Sequence, residues 1–300
     1  MENLLRKKWF ASVGMVLCTL LWGSANPVIK YAYQTLGIDA AADKLMFAGV
    51  RFLLAGVMVF LLAWMKNRRV PTVPRPLIGG VTLYGVLQTG LLYIFNYIGV
   101  SHTSATKTCI LTAASAFLAV VFAPLFFRGE RLTALKLIGS VVGFSGIVAV
   151  NLGDLGGGLT LTGEGFVLLA TVLSTAGSFV GKRISSGRVF EMTAYQLLIG
   201  AVLILAVGLF MGGGVIISPE GMLLTLYLAV VSAAAFTLQT ALLVRHEAGH
   251  ILVYHLLIPV FGALFSLMIL GERQILDPMY LISIALISCG IFMVNYTKKS

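Results

Sequence analysis

Charged residues are scarce in this chain of 300 residues, because only 11% of them are Asp, Glu, Lys or Arg while 59% are hydrophobic. A soluble domain carries roughly a quarter charged residues. No soluble fold has enough interior to bury so much apolar surface, so the composition excludes a soluble globular protein. It predicts a protein whose solvent is lipid, and the 33 glycines agree, since small residues let membrane helices approach closely.

Acidic residues are fewer than basic ones, with 11 Asp and Glu against 21 Lys and Arg. All 11 acidic residues lie in tails, loops or span edges. An exporter that exchanges protons for lipophilic cations needs a carboxylate within the membrane, both to hold the cation and to exchange protons. The sequence therefore argues against that mechanism and against a permanently cationic substrate.

The net charge of +10 raises the question of nucleic-acid binding. The basic residues, however, form short clusters between apolar runs, such as Arg6-Lys7-Lys8 and Lys182-Arg183. Such clusters are typical of cytoplasmic loops beside anionic headgroups. We therefore expect the lipid bilayer, and no nucleic acid, as a partner.

Cysteine is rare, and the three cysteines, Cys18, Cys109 and Cys289, all lie inside apolar runs without paired spacing. This predicts buried small side chains, neither disulfides nor metal ligands. The P-loop, H-E-x-x-H and G-x-S-x-G patterns are also missing from the sequence. We therefore expect no enzyme and no cofactor, and any transport must follow a gradient.

Ten apolar windows are long enough to span a bilayer, which takes about 20 residues. Turn-forming or charged residues separate the windows, and no loop is long enough to hold a soluble domain. The windows cover residues 10–33, 44–65, 76–98, 104–127, 133–151, 163–182, 192–212, 219–243, 250–270 and 277–296.

Lysine and arginine indicate the orientation, because cytoplasmic segments carry an excess of both. With the N-terminus in the cytoplasm, only Lys44, Lys107 and Arg273 lie in outside segments, whereas Lys298 and Lys299 join the many basic residues inside. The sequence thus predicts a multi-pass membrane protein with both termini in the cytoplasm.

The two halves of the chain resemble each other. Gly129-Glu130-Arg131 follows the fourth span, and Gly271-Glu272-Arg273 follows the ninth. The segment from Trp22 to Lys30 in the first span resembles the segment from Ser174 to Lys182 in the sixth. Because five spans per half is an odd number, the second half enters the membrane from the opposite side. This predicts an all-α membrane protein of two inverted five-helix repeats, an architecture that suits alternating access.

Several short motifs carry a resemblance to a known family. Leu21-Trp22-Gly23-Ser24 lies in the first span, Arg51-Phe52-Leu53 in the second, Tyr195-Gln196-Leu197-Leu198 in the seventh and His255-Leu-Leu-Ile-Pro259 in the ninth. With the two Gly-Glu-Arg triplets, their order resembles the EamA-type branch of the drug/metabolite transporter superfamily over nearly the whole length. The resemblance implies ten transmembrane helices in two EamA-like repeats, residues 1–151 and 152–300, and a bacterial plasma-membrane exporter of small metabolites.

One feature departs from this family pattern. The family often has a proline in the fourth span at the place that Pro259 occupies in the ninth. Here that place falls near Phe117, and Pro124 follows later. If Pro259 is a hinge, its partner in the first half is missing or displaced.

Arg51 is the strongest candidate for a substrate contact, because an arginine within a span is costly unless it meets a partner. It could bind a carboxylate or phosphate of the substrate. The alternative is that Arg51 snorkels outward or caps loop carbonyls.

Other polar or aromatic residues within the spans are further candidates, since buried polar groups need partners. Trp22 is a pocket wall or simple packing; Asn26 and Pro27 mark a kink; Pro259 marks a second hinge. His255 is the candidate proton-responsive group, or a neutral side chain bonded to a neighbouring helix. The full set of substrate candidates is Trp22, Asn26, Arg51, Gln88, Tyr93, Thr112, Ser115, Ser178, Gln196, Gln239, Tyr254 and His255.

These features together predict a secondary transporter that moves a small neutral, zwitterionic or anionic metabolite, such as an amino acid or an analogue, across the plasma membrane by alternating access. Efflux is the expected direction, and protons are the candidate coupling ion. An importer or passive facilitator of the same fold, or a multidrug exporter, is the alternative.

Overall fold

The computed structural model describes residues 2–151, 160–215, 218–272 and 278–296, and these residues form helices without any strand. A short turn, Glu2–Leu5, precedes ten helical segments. They are α1 Lys8–Leu36, α2 Ala41–Asn67, α3 Arg75–Val100, α4 Ala105–Phe126, α5 Ala134–Val150, α6 Leu161–Ile184, α7 Val189–Phe210, α8 Pro219–Leu243, α9 Ala248–Leu270 and α10 Pro278–Asn295.

Each apolar window of the sequence coincides with one of these helices, and the ends differ by a few residues only. Among the described residues, nine helices are long and apolar enough to cross a membrane. The remaining one, α5, has 17 residues and a length of about 25 Å at 1.5 Å per residue. The all-helical membrane fold is therefore confirmed. The expected sides of Arg273, Lys298 and Lys299 concern residues outside the described ranges.

The helix ends follow from local side-chain chemistry. Hydroxyl groups before four helices accept a hydrogen bond from the third following backbone N–H, which satisfies a donor that the helix leaves open. Glycines in the left-handed conformation end α1 at Gly37 (φ 63°) and α9 at Gly271 (φ 72°). The capping residues are Ser104, Thr133, Thr160 and Ser218.

The most extensive helix contacts form a regular set. The helix α2 packs along α7, and α5 packs along α10. On one side of the molecule α1 packs against α8 and α9, and on the other α6 packs against α3 and α4. Two further pairs are α2 with α8 and α7 with α3. Replacing each helix by the one five places away in the chain maps this set of pairs onto itself.

Glycine permits the closest of these approaches. A Cβ atom added to Gly290 in α10 would lie 2.6 Å from the Cα atom of Gly143 in α5. A Cβ atom on Gly23 in α1 would lie 3.0 Å from the backbone nitrogen of Gly262 in α9. Backbones this close leave no space for a side chain, so the small residues set the distance between these helices.

Two helices change their geometry in the interior. The helix α3 contains a π-helical turn at Val86–Leu91, and α9 contains a 3₁₀ turn at Val253–Leu257 directly before Pro259. By contrast, α1 continues through the buried Pro27 from end to end. The structure thus places an irregularity at one of the two predicted hinge prolines, and the hinge role itself stays a prediction.

Candidate functional site

Aromatic side chains from both halves meet in the middle of the helix bundle, and we call them the central cluster: Trp22 of α1, Phe52 of α2, Tyr93 of α3, Phe236 of α8 and His255 of α9. The Trp22 ring centroid lies 5.4 Å from that of Phe236 and 5.5 Å from that of His255, in edge-to-face arrangements. The Phe52 ring lies 4.4 Å from Tyr93 and 6.3 Å from Phe236. Such pairs hold each ring in a defined orientation.

Arg51 lies against this cluster and is buried, with 4% of its surface exposed. Its guanidinium carbon lies 4.1 Å from the Phe52 ring centroid and 5.6 Å from that of Tyr93. Aromatic faces attract a cation but do not neutralise its charge. Within the described residues no carboxylate forms a salt bridge with Arg51, and its Nε atom has no hydrogen-bond partner. A buried cation without a counter-ion can bind an anionic group.

His255 is joined to the cluster by a hydrogen bond between its Nε2 atom and the Oε1 atom of Gln239, at 2.7 Å. An amide oxygen only accepts, so Nε2 of His255 is the donor. The bond joins α9 to α8 at the level of Trp22. Five of the sequence candidates, Trp22, Arg51, Tyr93, Gln239 and His255, therefore lie together.

Three further candidates lie between helices instead. The Ser178 hydroxyl of α6 donates to the Gln88 Oε1 atom of α3 over 3.3 Å, and the Gln196 amide of α7 donates to the hydroxyl of Thr89. Gln88 and Thr89 both belong to the π-helical turn of α3, a local geometry that is frequent at functional sites. These contacts join α3 to α6 and to α7 in the manner of polar links between membrane helices.

The remaining candidates lie apart from the central cluster. The Thr112 hydroxyl donates to carbonyls of its own helix, at Thr108 over 2.8 Å, and Ser115 is buried on the same helix. Tyr254 lines a groove of about 560 Å³ between α1, α9 and α10, together with Ser12 and Asn295.

Asn26 is exposed although it lies on the face of α1 that points into the helix bundle. Asn26 lies four residues after Trp22 and Lys30 lies eight residues after Trp22, so the three side chains point to the same side of the helix. Both Asn26 and Lys30 are exposed. The opposite face carries exposed apolar residues such as Val13 and Leu17, as expected for a lipid-facing side. Two exposed polar side chains, Asn26 and Lys30, therefore lie on the side of α1 that carries Trp22.

The cytoplasmic end of the bundle, as defined by the orientation expected from lysine and arginine, is tied together by a buried ionic contact. The Lys182 Nζ atom, at the end of α6, lies 3.0 Å from Glu130 Oε1 in the loop after α4. The same carboxylate accepts a hydrogen bond from the backbone N–H of Ala248, at 2.7 Å, and so caps the start of α9. Lys182 also donates to the carbonyl of His246.

Glu130 was not among the sequence candidates for the site. Its recurrence in the two Gly-Glu-Arg triplets is the available sequence signal, and that signal does not identify its partners. Ala248, which donates a hydrogen bond to Glu130, lies 118 positions further along the chain. A second ion pair, Lys136 with Glu247, lies at the same end of the bundle.

The outer end carries ion pairs as well. Lys30 at the outer end of α1 pairs with Glu272, which follows α9. The Lys107 Nζ atom lies 2.9 Å from Glu164 Oε1, and the Thr103 hydroxyl donates to the same oxygen over 2.7 Å. The Lys30–Glu272 pair is solvent-accessible, with exposed side-chain fractions of 54% and 29%, whereas Lys107 and Glu164 are nearly buried.

Comparison with known families agrees with this architecture. The sequence model of the EamA-like transporter family matches the chain twice, over residues 9–152 and 161–296. The two matches together cover nearly the whole chain. This protein therefore belongs to the EamA-like transporter family, which is a family of membrane transporters of the drug/metabolite type.

Individual relatives are also named as transporters. The protein named "Uncharacterized transporter YvbV" of Bacillus subtilis (strain 168) is 27% identical over 294 residues, which are 95% of this chain and 92% of that protein. An "Uncharacterized transporter" of Archaeoglobus fulgidus is 27% identical over 270 residues, or 86% of this chain and 89% of the relative. A solved crystal structure with 17% identity superposes with a TM-score of 0.80 and covers 95% of this chain and 97% of its own, which shows a shared fold.

Proposed function

We propose that this protein is a secondary transporter that carries a small neutral, zwitterionic or anionic metabolite out of the cell by alternating access. The observation that carries the proposal is the position of the central cluster. Its residues come from α1, α2 and α3 of the first half and from α8 and α9 of the second. A site built from both halves changes its access when one half moves against the other.

The inverted arrangement is part of the proposal. We infer ten transmembrane helices, with α5 as the shortest, in repeats of residues 1–151 and 152–300 and with both termini in the cytoplasm. Each helix pair in one repeat has a matching pair when every helix is replaced by the one five places away, and this supports a two-fold relation between the repeats. Five helices per repeat then require opposite orientations in the membrane.

The conformation that we infer is open to the outside. Asn26 and Lys30 are exposed on the side of α1 that carries Trp22, whereas at the corresponding positions of α6 Ser178 is buried and the Lys182 side chain is only 14% exposed. The buried Lys182–Glu130 contact closes the opposite end. A substrate would thus reach the central cluster from the outer side in this state.

Arg51 supports the proposed substrate class. Its charge is not neutralised by a carboxylate among the described residues, so an anionic or zwitterionic substrate would supply the missing counter-ion. The ring faces of Trp22 and Tyr93 would hold the rest of a small molecule. We propose no cofactor and no enzymatic step, and the partners are the substrate, the bilayer and protons taken up at His255, with no nucleic acid.

The test is flux through the purified protein in proteoliposomes. A panel of amino acids, their analogues and small organic acids is loaded inside or outside, and flux is followed along imposed gradients in both directions. We expect at least one zwitterionic or anionic compound to move faster than through protein-free liposomes. If no compound moves with any gradient, the carrier function is wrong.

Arg51→Gln is the decisive variant in this assay, with Arg75→Gln as the matched control because Arg75 is exposed at the start of α3. Loss of flux in Arg51→Gln, with normal flux in Arg75→Gln, would support a direct contact with the substrate. Residual flux in Arg51→Gln would instead assign Arg51 an anchoring role.

A further inference from the structure

Two ion pairs connect the halves of the protein at its opposite ends. At the inner end Lys182 of the second half pairs with Glu130 of the first half. At the outer end Lys30 of the first half pairs with Glu272 of the second half. Each pair therefore crosses the boundary between the repeats.

The two pairs are copies of one contact in the repeat. Lys30 and Lys182 are the last residues of the matching segments in α1 and α6, and Glu130 and Glu272 are the central residues of the two Gly-Glu-Arg triplets. In both cases a lysine at the end of the first helix of one repeat meets the glutamate that follows the fourth helix of the other. Because the contact is repeated in this way, the same lysine–glutamate pairing can form at both ends of the molecule.

The environments of the two pairs differ. The side chains of Lys182 and Glu130 are 14% and 7% exposed, while those of Lys30 and Glu272 are 54% and 29% exposed. The inner carboxylate has additional donors, the backbone N–H of Ala248 at 2.7 Å among them. Separating a buried pair is costly, because it leaves two desolvated charges without a counter-ion. An exposed pair is screened by water and contributes little to stability.

Aromatic packing reinforces the inner contact. The Lys182 Nζ atom lies 4.9 Å from the Phe127 ring centroid. The rings of Phe126 and Phe127 lie 5.2 Å and 5.5 Å from that of Phe179, which stands three residues before Lys182. At the outer end, Asn26 occupies the position that corresponds to Ser178 and remains exposed. Closure is therefore complete at one end only.

We propose that these four residues are the gate residues of the transport cycle, with the Lys182–Glu130 and Lys30–Glu272 pairs buried alternately. The inference rests on the proposed function, because alternating access requires one end to open as the other closes. In the described state both pairs are formed, the inner one nearly buried and the outer one open to solvent. When the inner pair separates, the cap on α9 is lost, the inner end of α6 moves away from those of α4 and α9, and the outer pair becomes buried.

The first experiment measures the inner opening directly. Spin labels carried on noncanonical amino acids replace Arg128 and Ser186, which are exposed in the loops after α4 and α6. Distances are measured by pulsed electron resonance in lipid nanodiscs. We expect a single short distance for the wild type, and a several-fold larger long-distance population for Glu130→Gln and for Lys182→Gln. The charge-conserving variant Lys182→Arg should keep the short distance.

Lys107→Gln is the control for the loss of any buried ion pair, since Lys107 and Glu164 are nearly buried but have no counterpart at the other end. It should leave the distance between labels 128 and 186 unchanged. A long-distance population of the same size in Lys107→Gln would overturn the proposal, because the opening would then reflect general loosening.

The second experiment closes the outer gate and remains informative if the Glu130 variants do not fold. A disulfide between Lys30→Cys and Glu272→Cys is formed in a background that lacks Cys18, Cys109 and Cys289. It should lengthen the inner distance, and reduction should restore it. The single variants Lys30→Cys and Glu272→Cys, in the same background and under the same oxidant, are the matched controls and should leave the inner distance unchanged.

An inner distance that does not respond to the outer disulfide would show that the two pairs are independent, and the gate assignment would be wrong. These distances are measured without substrate. A failure of the coupling between the two pairs can therefore be told apart from a failure of the flux panel, because the distances report the coupling whether or not any compound moves.

Discussion

The two ends of the protein contain the same types of residue but use them differently. At the inner end Glu130 is buried and the Lys182 side chain is nearly so, and Lys136 pairs with Glu247 beside them. At the outer end Lys30 and Glu272 are in contact but largely open to solvent. The strength of such a contact depends on desolvation and on further hydrogen bonds more than on residue type. The comparison shows that one repeated contact has two different degrees of exposure at the two ends.

The two matching helices show the same difference. In α6 the small Ser178 side chain lets α3 approach, and its hydroxyl bonds to Gln88. In α1 the corresponding residue, Asn26, remains exposed, while Trp22 one turn earlier packs against α8 and α9. Position 178 of α6 is therefore filled by a helix contact that position 26 of α1 lacks.

The largest expected effect is on stability when the glutamates are removed one at a time. Glu130→Ala should lower the free energy of unfolding by about 3–5 kcal/mol, because it leaves the buried charge of Lys182 without a partner. Glu272→Ala should lower it by about 0–1 kcal/mol, since that pair is exposed. Thermal and denaturant unfolding of both variants in the same detergent measures the difference. Equal losses would show that burial does not distinguish the two ends.

The inner end should also respond to acid, through Glu247 at the start of α9. Burial opposes ionisation of this carboxyl, but the hydrogen bond from Lys136, the attraction to His250 when that ring is protonated, and the positive charges of Lys136 and Lys182 outweigh it, so the pKa of Glu247 lies below its ordinary value of 4.5. A depressed pKa means that the ionised group stabilises the fold above that value, and that the stabilisation is lost as the pH falls through the lowered pKa.

Comparison of Glu247→Gln with the wild type tests this pH dependence. At neutral pH the wild type should unfold at the higher temperature, and below pH 4.5 the two melting temperatures should converge. The control is Glu191→Gln, since Glu191 accepts a hydrogen bond from Asn67 at an exposed site. A difference that grows on acidification would contradict the lowered pKa.

The helices are predictable from the sequence because each is an apolar run bounded by hydroxyl caps, glycines or charges. The central cluster is partly predictable, since Trp22, Arg51, Tyr93 and His255 are costly or unusual within spans. The Glu130 contact with Ala248 is not, because it joins residues 118 positions apart and depends on how α4, α6 and α9 pack. A repeated triplet identifies the residue, but only the tertiary packing identifies its partner.

Gln88 and Gln196 illustrate the opposite outcome. Both were chosen because an amide in the membrane needs a partner, and both have one in a neighbouring helix, Ser178 and Thr89 respectively. The sequence reports the cost of a buried polar group but not whether a helix or a substrate meets it. Their place in the site therefore remains a prediction.

The smallest effect sharpens the comparison at the two equivalent positions of α1 and α6. Ser178→Ala should lower the free energy of unfolding by about 0.5–1.5 kcal/mol, because the hydrogen bond to Gln88 is lost in a buried place. Asn26→Ala should change it by less than about 0.5 kcal/mol, since an exposed side chain away from such contacts contributes little. Unfolding curves of the two variants measure both values. If Asn26→Ala proved the more destabilising, Asn26 would have to be buried in the dominant state, and the outer end would be the closed one.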